Sequence, residues 1–453
     1  MAQSKFRFTS ALTSAGWQQN VVVAVDDRGM ISSIGTGGRG GELIDGIAIP
    51  AVANVHSHAH QRLMVGLAER AGPGADSFWT WREVMYGFAL KLTPDDLEAV
   101  AAQAYMEMLK SGFSCVGEFQ YLHHQPDGSA YAEPAEMSLR CLAAAEQAGI
   151  AITMLPTLYN YSGFGGQAAT AGQRRFVNDA RRFLRIYDTL ARVSAANPLR
   201  RLGISPHSWR AVTPGLLTEV LGSIAENARI HIHVAEQTKE VEDCLAWCGK
   251  RPVEFLRGEF DVSGRWCAIH ATHMTREETI WLAGTGAIAG LCPTTEANLG
   301  DGIFPADLFM SHGGAIAIGS DSQITISPAE DLRMLEYSQR LRDATRNALA
   351  LRPGASTGRT LFDAALKGGA ACLDQPMGSI EVGRRCDIAV LDGDCGPMIG
   401  REGDAALDAW IFSAGNAAVK DVIVGGAQVV KDRQHFAEDR IQKRFKETVR
   451  RLS

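Results

Sequence analysis

The sequence predicts an α/β protein: a closed (β/α)8 barrel of the TIM type, completed by a small composite β-sandwich drawn from the N- and C-terminal segments. Three observations predict it. Short apolar runs of β type recur at 46–55, 113–119, 150–158, 202–205, 229–234, 266–269, 287–291 and 315–318, separated by Ala- and Leu-rich stretches of helical spacing. A doubly wound sheet would show the same alternation. The second observation separates the two, because each run is followed by a chemically loaded residue: His56 and His58, Glu118 and Tyr121, Asn160, His207, His233 and Glu236, His270, Thr294 and Glu296, then Asp321. In a barrel these carboxyl ends meet at one mouth, whereas an open sheet spreads them along a line. Third, strand signals stand outside the repeat at both ends of the chain.

At the N-terminus, 21–25 and 30–34 flank an Asp-Asp-Arg-Gly turn and predict a hairpin. The following GTGGRGG holds a GxGxxG match from Gly35. It leads into ELIDGIAIP, not a helix, so it is read as a loop and not as a phosphate cradle. After residue 380, GSIEVGRRCDIAVLD and DVIVGGAQVV resemble the first hairpin. The expected organisation is therefore 1–48 plus 381–453 as the composite sandwich, with 49–380 as the barrel. A charged amphipathic helix over 438–450 closes the chain as a packing or subunit contact.

Bulk properties narrow the partners. A net charge of −6 offers no basic field for nucleic acid or an anionic membrane, so a small-molecule substrate is expected. No uncharged apolar run reaches the ~18 residues that span a bilayer, and the first residues lack the apolar core of a signal peptide. Nine scattered cysteines without a CxxC pair fit reduced thiols and a cytoplasmic setting.

The chemistry starts at AVANVHSHAH. His56 and His58 lie two apart at a strand end, so both side chains point into the mouth, as two ligands of one metal require. A satisfied structural pair has the same spacing. In HIHVAEQ, His233 can complete a metal shell and Glu236, three residues on, can move protons. His231 falls one layer deeper, as a hydrogen-bonded interior residue. Asp321 closes a buried apolar strand, which is costly unless the carboxylate is paired or bound to a cation. It can serve as a ligand that also accepts a proton. His270 aims at the same point and can hydrogen-bond the attacking water or the developing tetrahedral oxygen.

The order His-x-His, His, His, Asp along a (β/α)8 barrel with a composite sandwich resembles the amidohydrolase superfamily, and the HVAE spacing resembles its mononuclear deaminases. Binuclear members bridge two metals with a carboxylated lysine at the fourth strand. No lysine lies between Lys110 and Lys239, so the resemblance implies one Zn2+ per subunit held by His56, His58, His233 and Asp321, with Fe2+ or Mn2+ as substitutes. Glu236, His270 and Asp321 would then be catalytic. NVHSHAHQR at 54–62, SPHSWR at 205–210, HVAEQ at 233–237 and CPTTEANLGDG at 292–302 resemble the branch that hydrolyses N-formimino-L-glutamate to N-formyl-L-glutamate and ammonia in histidine degradation. The expected ligand is thus a dicarboxylate amidine. Arginine forks suit its carboxylates: Arg210 follows the fourth strand, and Arg82 lies in the long loop after the first, where Trp79 and Trp81 are expected to pack the loop. The resemblance adds Gln61, Tyr121 and His207 as substrate-binding residues and suggests a homodimer. A deaminase of a nucleobase or other heterocycle on the same scaffold is the alternative, with an aromatic pocket lacking such arginines. His60, His123, His124, His273, His312 and Cys292 receive no role.

Overall fold

The computed structural model describes residues 4–38, 40–70 and 78–452. Eight parallel strands form the central barrel: β1 Val52–Ser57, β2 Phe113–Gln120, β3 Ala151–Leu158, β4 in two short pieces Arg200–Leu202 and Ser205–Pro206, β5 Ile230–Val234, β6 Trp266–His270, β7 Ile288–Leu291 and β8 Ala315–Ile318. They pair in chain order within two half-sheets, β1 to β4 and β5 to β8. Parallel bridges Ile204–Ile230 and Ser57–Asp321 join the halves and close the ring. β1, β2, β3 and β5 to β7 are buried along their whole length, because helices cover them outside and side chains fill the barrel inside.

Several helices start where the sequence supplies caps. Thr93 and Asp96 make a capping box for Pro94–Lys110, Ser327 caps Pro328–Asp343, and Ser356 caps Thr357–Cys372. Pro94 and Pro328 sit at first-turn positions, where a missing N–H costs nothing.

Strands from both chain ends form one eight-stranded sheet. Segment 380–386 returns to Met30 and Ile31, so the sheet folds over its own apolar core of Phe8, Val21, Val23, Ile31, Ile380, Ile388 and Ile423. The final helix, Glu438–Leu452, packs against Pro94–Lys110 through ion pairs Lys110–Glu438 at 2.7 Å, Arg444–Glu98 at 2.8 Å and Arg451–Asp96.

Three expectations need correction. The apolar run 46–55 is two strands: Glu42–Pro50 belongs to the terminal sheet, and β1 begins after Ala51. Continuous apolarity cannot mark that boundary, since both strands are buried there. Gly35 and Thr36 end a strand, Ile31–Thr36, and do not lie in a loop; Arg39 of the same motif lies outside the described residues. Trp79, Trp81 and Arg82 sit on a helix, Phe78–Ala89, whose apolar positions 78, 81, 85 and 89 follow a helical period.

Candidate metal centre and substrate cleft

At the carboxyl ends of β1, β5 and β8 the chain brings His56, His58, His233 and Asp321 together, each at most 5% exposed. Hydrogen bonds fix two of the imidazoles. His58 Nδ1 donates to the Phe119 carbonyl at 2.9 Å and His233 Nδ1 to the His207 carbonyl at 3.0 Å, so both Nε2 lone pairs face inward. His56 Nε2 lies 3.0 Å from His233 Nε2, and Asp321 Oδ1 lies 3.4 Å from both His56 Nε2 and His58 Nε2. Burial lowers the pKa of all three imidazoles, that of His56 to about 3, so they are neutral donors. Burial works the other way on Asp321, yet His56, His270 and His58 hold its carboxyl below the ordinary range. Converging imidazole nitrogens and one carboxylate are a donor set that fits a divalent cation of the zinc type.

The chain turns sharply at the ends of β5, β6 and β8. Ala235, His270 and Asp321 have φ of 52°, 65° and 48°, a left-handed conformation that costs a non-glycine residue roughly 1–3 kcal/mol. Three of the loaded strand ends hold that strain together. His270 Nδ1 faces Glu296 Oε1 at 3.2 Å, while its Nε2 lies 3.8 Å from both Glu236 Oε1 and Asp321 Oδ2. Burial disfavours its charge, but Glu236, Glu296 and Asp321 raise the imidazole to about 10. Burial raises the Glu236 carboxyl to about 7.

Above the cluster opens a cleft of about 610 Å³. Its walls include His58, Gln61, Arg82, Tyr121, His207, Arg210, His233, Glu236, His270 and Asp321, so every residue singled out from the sequence as catalytic or substrate-binding reaches it. Gln61 Nε2 donates to Tyr121 Oη at 2.9 Å, and His60 Nε2 meets the same oxygen at 2.9 Å. Arg82 Nε and Arg210 Nε are buried without a hydrogen-bond partner, and neither guanidinium forms an ion pair among the described residues. Both lie over Trp79, 4.4 Å and 5.7 Å from its ring centre. Trp79 therefore does not simply pack a loop; its ring carries two guanidinium groups.

Other expectations resolve to structure. His231 Nε2 donates to the Cys372 carbonyl at 3.0 Å, and His123 and His273 likewise bond backbone carbonyls. Thr294 turns to Asp331, and Glu296 stands behind His270 instead of lining the cleft. Sequence reasoning missed the aromatic wall of Phe78, Tyr86, Tyr159 and Phe176. Tyr159 is one residue from a singled-out position, Asn160, whose N–H donates to Ala211 O. The signal in the sequence is the polarity of strand ends, and aromatic rings carry little of it.

A barrel with this donor set at its mouth defines a class. Residues 47–429 match the amidohydrolase family, and the chain belongs to it: it is a hydrolase acting on carbon–nitrogen bonds. It is 49% identical over 438 residues to a formimidoylglutamate deiminase of Pseudomonas aeruginosa, with 96% of each chain covered. A 5-methylthioadenosine/S-adenosylhomocysteine deaminase of Natronomonas pharaonis is 28% identical over 91% of this chain and 89% of its own. An amidohydrolase structure from Brucella melitensis superposes with a TM-score of 0.94 at 48% identity, covering 99% of this chain and 100% of that one.

Proposed function

We propose that the protein hydrolyses N-formimino-L-glutamate to N-formyl-L-glutamate and ammonia, a step of histidine degradation, with one Zn2+ held by His56, His58, His233 and Asp321. The observation that carries the substrate is the pair of half-buried arginines, Arg82 and Arg210, which line the cleft with buried, unpartnered Nε atoms and form no ion pair among the described residues. Two guanidinium groups that line one cleft and form no ion pair fit a ligand with two carboxylates. The 49% identity to the Pseudomonas aeruginosa deiminase supports the same reading. When bound, the cation supplies Lewis acidity and makes a water nucleophilic near neutral pH.

The chain's own groups then have distinct tasks. Arg82 and Arg210, with Gln61, Tyr121 and His207, bind and orient the carboxylates. Asp321 takes the proton of the attacking water at Oδ2, the oxygen turned toward His270. Glu236, whose carboxyl stays protonated up to about 7, donates to the imine nitrogen and assists ammonia in leaving. The charged His270 directs Nε2–H at the oxygen of the tetrahedral centre.

The aromatic wall favours a second reading, a heterocycle deaminase, but its rings do not answer the two arginines. A homodimer belongs to the proposal through the family resemblance and a cytoplasmic setting through the free cysteines; no described helix is long and apolar enough to cross a membrane. Ammonia release from N-formimino-L-glutamate, guanine and cytosine by the zinc-loaded protein tests the assignment. Turnover of a base without turnover of the formimino acid overturns it.

A further inference from the structure

Glu118 lies near the carboxyl end of the barrel strand β2 and is fully buried, at 0% exposure. It lies outside the cleft, and the proposed chemistry gives it no task. Its oxygens accept from Ser57 Oγ at 2.6 Å and from the Ala59 N–H at 2.9 Å. Ser57 stands between His56 and His58, so the carboxylate grips the chain on both sides of His58.

The contact at Ser57 is the last link of a longer chain. Asn54 Nδ2 donates to Ser320 Oγ at 2.6 Å, and Ser320 Oγ donates to Gln323 Oε1 at 2.8 Å. Gln323 Nε2 donates to Ser57 Oγ at 2.9 Å and to the Asp321 carbonyl at 2.8 Å. Every hydroxyl therefore accepts from one side and donates to the other, and the direction ends on Glu118, which only accepts when ionised. Hydrogen bonds aligned in this way polarise one another, and their geometry depends on the terminal acceptor.

The chain crosses the seam where β8 meets β1. That seam is bound by few backbone contacts: Asp321 N to His56 O at 2.9 Å and His58 N to Asp321 O at 3.1 Å. Side chains do what a longer ladder does elsewhere in the barrel. The seam also divides the proposed ligands, with His56 and His58 on one side and Asp321 on the other.

We infer that Glu118 is a positioning residue for the cation: through Ser57 and Gln323 it holds β1 and β8 in the register that lets His56, His58 and Asp321 share one ion. The inference rests on the proposed cation site. Glu118→Gln keeps one acceptor and puts a donor in place of the other, so either Ser57 Oγ–H or the Ala59 N–H loses its acceptor. Ser57→Ala removes the link and keeps the carboxylate.

The test measures Zn2+ affinity by competition with a chromophoric chelator, and the visible absorption of the Co2+ form, for wild type and both variants. Melting of each cation-free protein is recorded alongside. Zn2+ binding 10–100-fold weaker in both variants, the usual size for groups that orient ligands, with an altered Co2+ spectrum, is the expected result. A role confined to packing would lower the melting temperature of the cation-free protein and leave both metal readouts unchanged; that outcome overturns the inference. If Glu118→Gln does not fold, Ser57→Ala alone decides by the same two readouts. A wild type that binds neither ion overturns the cation site itself, and is thereby told apart from failure of the inference.

Discussion

Glu236 shows what one side chain can do once the rest of the mouth is built. It is 5% exposed, three residues beyond His233, and 3.8 Å from His270 Nε2. Glu236→Gln keeps the shape and removes the proton. The expected outcome is a kcat lowered by about 10²–10⁴, the worth of a positioned general acid, with zinc content by elemental analysis equal to wild type; activity within a few-fold of wild type would take Glu236 out of the chemistry. Gly319 acts by being small. A Cβ there would stand 2.7 Å from His56 N and 2.9 Å from His56 O, backbone atoms that cannot yield without moving a proposed ligand. Gly319→Ala should cost about 1–3 kcal/mol as overpacking, read from chemical denaturation, and should weaken Zn2+ binding as well. At this scale the sequence was legible where burial is costly: histidines and an aspartate closing apolar strands call for a cation or a polar partner. Gly319 was not legible, because a glycine before a strand-end aspartate looks like any turn glycine until the approach of β1 is known.

The helix Phe78–Ala89 is the element on which the substrate reading turns, since it carries Arg82 into the cleft and Trp79 beneath both guanidinium groups. Its C-terminal end is fastened by Arg175, fully buried, which donates to Ala89 O at 2.5 Å, Leu92 O at 2.9 Å and His124 O at 2.7 Å. A cation on the last carbonyls of a helix is favourably placed. Both guanidinium groups lie over the ring of Trp79, each contact worth about 0.5–2 kcal/mol. Trp79→Leu should therefore raise KM for N-formimino-L-glutamate by about 10-fold while kcat stays within two-fold, in steady-state assays of ammonia release. An equal fall in kcat with no change in KM would contradict a binding role. This helix was the element least legible in the sequence. Its tryptophans at 79 and 81 read as loop packing, because the long segment after β1 passes for one connection. The 3.6-residue period of Phe78, Trp81, Met85 and Ala89 emerges only when the tryptophans are separated by face.

At the scale of the molecule, the barrel was legible because its repeat is long and regular: eight runs, each with a polar end, have few topologies that gather those ends at one mouth. The seams were not legible. The terminal sheet and the barrel abut at Ala51 with buried residues on both sides, so run 46–55 concealed a change of sheet. Closure between β8 and β1 depends on a single bridge and a chain of side chains. A ring closed so lightly gains from anything that ties its strands together, and the proposed ligands come from β1, β5 and β8, spanning both half-sheets. A cation bound by the folded chain alone stabilises it by mass action, about 4 kcal/mol when free metal is 1,000 times Kd. Unfolding entropy near 2.1 cal/mol/K per residue turns that gain into about 4 °C for a chain of 453 residues. Dialysis against a chelator should lower Tm by about that amount, and adding Zn2+ back should restore both Tm and ammonia release. In Asp321→Asn, which keeps the side chain's size and removes its charge, the Zn2+-dependent rise in Tm should shrink or vanish. A chelator-treated wild type that melts at the same temperature as the zinc-loaded protein would contradict a cation joining the two half-sheets.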